Sequence, residues 1–364
     1  MRAKKKIEAP ELPNATFPKL SLPIKPPFAP MEARQAKEIP EGKQFIYEPK
    51  WDGFRCLAFR DVEKVVLQSK AGQPLGRYFP EIVDALSKIK AKKFVLDSEI
   101  VVEVGGHLDF DAILQRIHPA ESRIKRLSKK TPARMLCFDL LVDAEGKLFA
   151  DEHLTERKKS LQEFFKKQVG KNATVQLSPF SKDLKQADAW MHDLAAYGCD
   201  GVMAKLADEP YHSGARDGMV KIKRMRTADC VVGGFRFATK KEAGVGSLLL
   251  GLYNDEGQLD HVGFCSSFSA GEKLKLVKTL KPLMGGEGFT GKAPGGPSRW
   301  NAYNDRSSEW EPLKSKLVCE VQYDHVSNGR FRHGTKFLRW RPDKSAKQCT
   351  FEQLKVAKRP KRAA

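Results

Sequence analysis

The sequence predicts an α+β chain in two parts. A larger region of mixed strands and helices covers residues 31–226, and a small Greek-key β-barrel covers 227–364. Three observations carry this reading. The length, 364 residues, suits two domains of roughly 100–200 residues each. Between Phe45 and Arg226, apolar strands alternate with segments whose apolar residues recur at helical spacing. From Thr227 onward the strands are short, glycine-punctuated and hairpin-like, with one helix among them.

Taken in order, residues 1–30 carry prolines at 10, 13, 18, 23, 26, 27 and 30, which excludes helix and predicts an extended arm over a surface or a tail. Phe54–Phe59 and Val65–Gln68 read as a hairpin, and Pro80 opens a helix with Ile82, Val83, Leu86 and Ile89 on one face. Phe94–Val104 is a strand carrying Asp97 and Glu99 in apolar company. A short helix follows, with Phe110, Ile113, Leu114 and Ile117 on one side, and then the strand Met135–Val142. Leu154–Val169 is a charged helix closed by Gly170, and Leu184–Tyr197 is a second, stopped by Gly198. Strands are expected at Asp200–Lys205 and Met219–Arg226. In the second part they fall at Cys230–Phe237, Leu248–Tyr253, His261–Ser266 and Leu317–Tyr323, with a helix at Ala270–Leu283. The OB-fold is the commonest nucleic-acid-binding barrel of this size. The end of the chain is a basic tail containing Lys355, Lys358, Arg359, Lys361 and Arg362.

The charge balance points to a polyanionic partner. Lys and Arg number 65 against 45 Asp and Glu, a formal net charge of +20, and the absence of a long basic amphipathic helix favours nucleic acid over a membrane surface. Seven scattered cysteines without a Cys-x-x-Cys pair argue against structural zinc and for reduced thiols. No signal core or spanning apolar run occurs, so a soluble, cytoplasmic monomer is expected.

Chemistry concentrates around Lys50, which stands between Pro49 and the Asp52-Gly53 turn, with Arg55 beyond. A lysine becomes a covalent nucleophile once its amine is neutral, a condition favoured by burial or neighbouring cations. Lys221 and Lys223 alternate with Val220 and Ile222 and so share one strand face. Glu99 and Asp200 are carboxylates on apolar strands, where an unpaired charge is costly and a divalent cation would resolve it.

In order and spacing, Lys50–Gly53, Ser69–Gly72, Asp97–Val101, Phe138–Leu141, Asp200–Lys205, Lys221–Lys223 and Arg341–Lys344 resemble the motifs of the ATP-dependent DNA ligases. The overall size and the stretch Arg330–Arg341 look most like the minimal two-domain bacterial enzymes of the DNA ligase C type. The resemblance implies a nucleotidyltransferase (adenylation) domain followed by an OB-fold. It also implies nick sealing in duplex DNA through AMP carried on Lys50, with ATP as cofactor and Mg2+, replaceable by Mn2+, at Glu99 and Asp200.

By that resemblance Glu48 reads adenine, its alternative being an ordinary strand carboxylate. Arg55 contacts ribose or phosphate, or else forms a structural salt bridge. Phe138 stacks on the base, and Val202 packs on its other face, each with a core role as the alternative. Lys221 and Lys223 grip the α-phosphate and, with a bound metal, depress the pKa of Lys50. Lys70 and Arg216 reach the nucleotide, while Arg339, Arg341, Asp343 and Lys344 orient pyrophosphate about a hinge near Met225–Asp229. Lys70 replaces the Arg of many relatives and Asp200 the commoner Glu, which loses a bidentate phosphate grip and shortens the acid by one methylene. The partners implied are nicked double-stranded DNA and, in repair, a gap-filling primase-polymerase. An RNA ligase or GTP-using capping-type enzyme is the alternative within the superfamily, and a non-catalytic DNA-binding protein the alternative outside it.

Overall fold

The computed structural model describes residues 16–194, 197–238, 244–294 and 309–354. The basic tail beyond Leu354 and the arm before Thr16 lie outside the described residues. The chain divides into two units between Arg224 and Met225.

The first unit contains strands β1 (Arg34–Ala36), β2 (Phe45–Trp51), β3 (Phe54–Asp61), β4 (Lys64–Ser69), β5 (Lys93–Val104), β6 (His107–Leu108), β7 (Ala133–Val142), β8 (Val175–Leu177), β9 (Cys199–Leu206) and β10 (Met219–Lys223). Its helices are α1 (Pro80–Ser87), α2 (Phe110–Leu114), α3 (Glu121–Lys130), α4 (Leu154–Phe164) and α5 (Leu184–Asp193). The strands form two mixed sheets. One runs β1-β10-β9-β2, and the other β4-β3-β5-β7-β8 with β6 on β5.

β5 is apolar along most of its length because the larger sheet is covered on both faces. One face packs Cys56, Leu96, Ile100 and Cys137 under Ile82 and Leu86 of α1 and Leu161 and Phe164 of α4. The other buries Leu57, Phe59, Val95 and Leu141 under the proline-rich arm. The arm does this without regular secondary structure. Leu20, Leu22 and Ile24 are buried while Ser21, Pro23 and Lys25, which alternate with them, are exposed, the two-residue period of an extended chain. Side chains supply its backbone bonds: Ser21 N–H donates to Asp61 at 2.5 Å, and Gln68 both accepts from Phe28 N–H and donates to Phe28 O. The smaller sheet buries Tyr47, Val202, Ala204 and Ile222 against Ala187 and Trp190 of α5.

Several elements differ from the sequence reading. α4 continues through a π-turn, Phe165–Val169, to Gly170 at φ 66°, as the glycine stop requires. The Leu184–Tyr197 helix closes at Asp193. Ile117 falls beyond α2 and is exposed. Met219–Arg226 is two elements, since β10 ends at Lys223. β1, β6, α3 and β8 are absent from the sequence reading, being short or weakly apolar.

The second unit contains β11 (Arg226–Phe237), β12 (Val245–Tyr253), β13 (Leu259–Cys265), β14 (Glu311–Pro312), β15 (Val318–Tyr323), β16 (Val326–Ser327), β17 (Arg330–Phe331) and β18 (Lys336–Trp340), with α6 (Ala270–Leu280) opened by a Ser269/Glu272 capping box. Its main sheet runs β13-β12-β11-β15-β18, with β14 on β11. Among the described residues a bridge from Cys265 to Thr335 links the two edges, and no ladder closes them, so the expected barrel is seen as a curled, OB-like sheet. β11 begins at Arg226 rather than Cys230 and runs unbroken past Thr227, because Arg226–Val231 pair residue by residue with β15. All seven cysteines are buried and unpaired.

Candidate active site

Lys50 sits at the end of β2, opposite Gly201 of β9. Two glycines let the backbones converge there: a Cβ on Gly53 would stand 2.1 Å from Ile100 O, and one on Gly201, at φ 149°, 2.0 Å from Ile222 O. The Lys50 ammonium donates to Asp200 Oδ2 at 2.6 Å. Burial pulls the Lys50 pKa down, but Asp200, with Asp52 and Glu99 behind it, outweighs burial and raises it. This arrangement holds the amine protonated, with its proton on a line to Asp200; the depression expected above calls on a bound metal as well as on Lys221 and Lys223.

Lys221 of β10 is a neighbour of the same field. Burial first, then Lys223, Lys50 and Lys70, lower its pKa. Lys223 pairs with Gly201, the residue opposite Lys50, and Lys221 pairs with Met203, the residue opposite Glu48. Lys70 and Arg216 are brought together by Glu32, each at 3.0 Å from Oε2. Glu99 of β5 lies beside Arg55 of β3 in register. Burial pushes its carboxyl up to about 8 against the pull of Arg55 and Lys50. Among the described residues no three or more His, Cys, Asp or Glu side chains form a metal cage.

Glu48, 2% exposed, is the centre of a buried triad. Lys158 of α4 pairs with Oε1, and Lys205 of β9 with Oε2 at 2.8 Å. Burial would raise the Glu48 pKa, but the two ammonium groups overcome it and hold the carboxyl below its usual range. Phe138, on β7, has Lys205 Nζ 4.6 Å and Arg55 Cζ 4.8 Å from its ring centroid, and its carbonyl accepts from Lys158 Nζ at 2.6 Å.

Arg55 takes up the salt-bridge alternative, gripping Asp97 with Nε at 2.6 Å and Nη2 at 2.5 Å; Tyr211 also donates to that carboxylate at 2.6 Å. Val202 takes up the core alternative. It is fully buried with Trp190 and Ile222, whereas Met203 pairs with Glu48 in register and packs toward the larger sheet. In the second unit Arg341 and Lys344 both bind Asp229, at 2.9 and 2.7 Å, Arg341 also holds Asp343 at 2.7 Å, and Arg339 pairs with Glu320 at 2.7 Å.

Sequence reasoning passed over Glu32, Asp97, Lys158 and Lys205 as site residues. A signal existed for Lys158. Leu154, Arg157, Lys158 and Leu161 fall at helical spacing on one face of α4, so two basic residues stand where a core face is required. Arg157 there grips Asp139 at 2.9 Å.

A family model described as the ATP dependent DNA ligase domain matches residues 30–223, and one described as the ATP dependent DNA ligase C terminal region matches 241–344. The chain belongs to the ATP-dependent DNA ligases. DNA ligase C1 of Mycolicibacterium smegmatis is 44% identical over 345 residues, covering 92% of this chain and 96% of that one. DNA ligase C of Mycobacterium tuberculosis is 38% identical over 351 residues, covering 92% and 96%. Among solved structures, a Lig E DNA ligase aligns with a TM-score of 0.53 at 17% identity, covering 85% of this chain and 99% of that one, which shows the shared fold. In this ligase Lys50, Asp200 and the paired Lys221 and Lys223 thus lie on the adjoining strands β2, β9 and β10, with Glu99 on β5 of the larger sheet.

Proposed function

We propose that this ligase seals nicks in duplex DNA with Lys50 as its nucleophile, in a bacterial cytoplasm and as a monomer. The observation that carries the reading is the placement of Lys50 against Asp200, with Lys221 of β10 in electrostatic reach of it. The Lys50 amine gives its proton to Asp200 and attacks the α-phosphorus of ATP; the bond to pyrophosphate breaks and lysyl-AMP forms. Lys221 and Lys223 neutralise charge building on the α-phosphate. A 5′-phosphate oxygen then takes the AMP from Lys50, and the 3′-hydroxyl attacks that activated phosphorus and releases AMP.

Glu48 accepts from the adenine amino group and Phe138 stacks on the ring. Arg55, through Asp97, shapes the wall beside them. Lys70 and Arg216 exchange Glu32 for phosphate. Arg341 and Lys344 serve pyrophosphate in the first step, moving about a hinge near Met225–Asp229.

The donor set suits a hard divalent cation. Glu99 is a carboxylate that burial leaves short of positive charge, and magnesium is commonly held by one or two carboxylates and substrate phosphates rather than an all-protein cage. Glu99 and Asp200 would hold Mg2+ or Mn2+, and the ion would supply charge neutralisation at the phosphates.

Incubation with α-labelled ATP, magnesium and a nicked duplex tests the reading. Wild type should yield a labelled protein band and sealed product, and Lys50→Ala neither. Sealing by Lys50→Ala would displace the nucleophile. Labelling from GTP in preference to ATP would move the chain to the capping-type relatives.

A further inference from the structure

We infer that Lys158 is a positioning residue that ties together the two base contacts and thereby sets the preference for a purine bearing a 6-amino group. The inference rests on Glu48 and Phe138 being those contacts, as proposed above. Its basis is that one ammonium bridges the two sheets of the first unit. Glu48 belongs to β2 of the four-stranded sheet and Phe138 to β7 of the larger one. Lys158, reaching in from α4 with its side chain 2% exposed, pairs with Glu48 Oε1 and donates to Phe138 O at 2.6 Å.

The two lysines on Glu48 are not equivalent. Lys205 lines the cavity that Arg55, Phe138 and Asp139 also line, while Lys158 does not reach it. Lys205 holds Glu48 Oε2 at 2.8 Å and stands between Glu48 and that cavity, which Glu48 itself does not line. An incoming exocyclic amine therefore takes the place of Lys205 at Oε2, while Lys158 keeps Oε1 and the plane of the carboxylate fixed. A carboxylate held in this way offers acceptors only, which match a 6-amino group and oppose the 6-oxo group of guanine. The same ammonium fixes the backbone of Phe138, so stacking surface and hydrogen-bond acceptor keep one spacing. Without Lys158 the carboxylate swings to Lys205, and both contacts lose their register.

The test compares lysyl-nucleotide formation from ATP and from purine riboside triphosphate, which lacks the 6-amino group. Proteins compared are wild type, Lys158→Met, Lys158→Gln, Lys158→Arg and Glu48→Gln, each checked for folding by circular dichroism and thermal melting. A hydrogen bond to a charged acceptor gives wild type a preference for ATP of about ten- to a hundredfold in kcat/KM. Lys158→Met should bring the two substrates to near parity, chiefly through KM for ATP, and Lys158→Arg should restore most of the preference. Lys158→Gln keeps a donor for only one of the two acceptors and should behave like Met, which decides the matter if Met prevents folding. A folded Met or Gln variant with the wild-type preference overturns the inference about Lys158 alone. An unchanged preference in Glu48→Gln removes the underlying reading of Glu48 and the inference with it.

Discussion

Glu48 shows how a single side chain can be legible in position and illegible in surroundings. Its place two residues before Lys50 is a matter of strand periodicity, readable from the sequence. Its two lysine partners come from positions 158 and 205, which no local pattern connects to it. The carboxyl is held below its ordinary value of 4.5. Its contribution to stability is thus complete above pH 4.5 and is lost as the pH falls through the folded-state value. Glu48→Gln should cost about 3–5 kcal/mol at neutral pH, since it leaves two buried ammoniums without their counter-charge. The variant should also show a shallower loss of thermal midpoint below pH 4.5 than wild type, measured by melts across a pH series. Lys50 teaches the complementary lesson. Its identity as nucleophile followed from its motif, but its protonation did not, because the deciding distance of 2.6 Å runs to Asp200, 150 residues along the chain.

Long elements with unbroken periodicity were readable, and short or covering ones were not. α1, β5 and β7 lie where apolar spacing put them, because each has a full buried face, while β12 begins at Val245, three residues before the expected Leu248. α4 was readable as a helix, yet its charged composition concealed two basic side chains on its inner face, paired only in three dimensions. The proline-rich stretch reads as an extended arm or a tail, and the two-residue burial of Leu20, Leu22 and Ile24 gives the extended form a cause. Leu22 is 3% exposed against the outer face of the larger sheet, so Leu22→Ala should cost about 2–5 kcal/mol, whereas Lys25→Ala, on the solvent side, should be near neutral. Chemical denaturation of the two variants checks this; equal midpoints would show that the arm is not seated.

At the scale of the molecule, each unit has a core of its own. The second is built from Val231, Leu248, Leu250, Val262 and Val321, and the first from clusters on both faces of its larger sheet. Two cores of this size predict two calorimetric transitions, and Leu250→Ala should move one while leaving the other within about 1 °C. A single transition displaced as a whole would show the units to be thermodynamically one. The two-part plan was visible in the change of strand length and glycine content. The seam was less so, since β11 runs through Thr227 on pairing with β15 that lies about 90 residues away.

The burial of all seven thiols has a practical outcome. Cysteine chemistry is confined to the interior, where Cys56 is pushed above its ordinary value by burial and Cys137 well above it, so neither offers an exposed thiolate to an oxidant. A fluorophore attached to one introduced surface cysteine would label that position and leave the native seven untouched, opening single-site spectroscopy without a cysteine-free background.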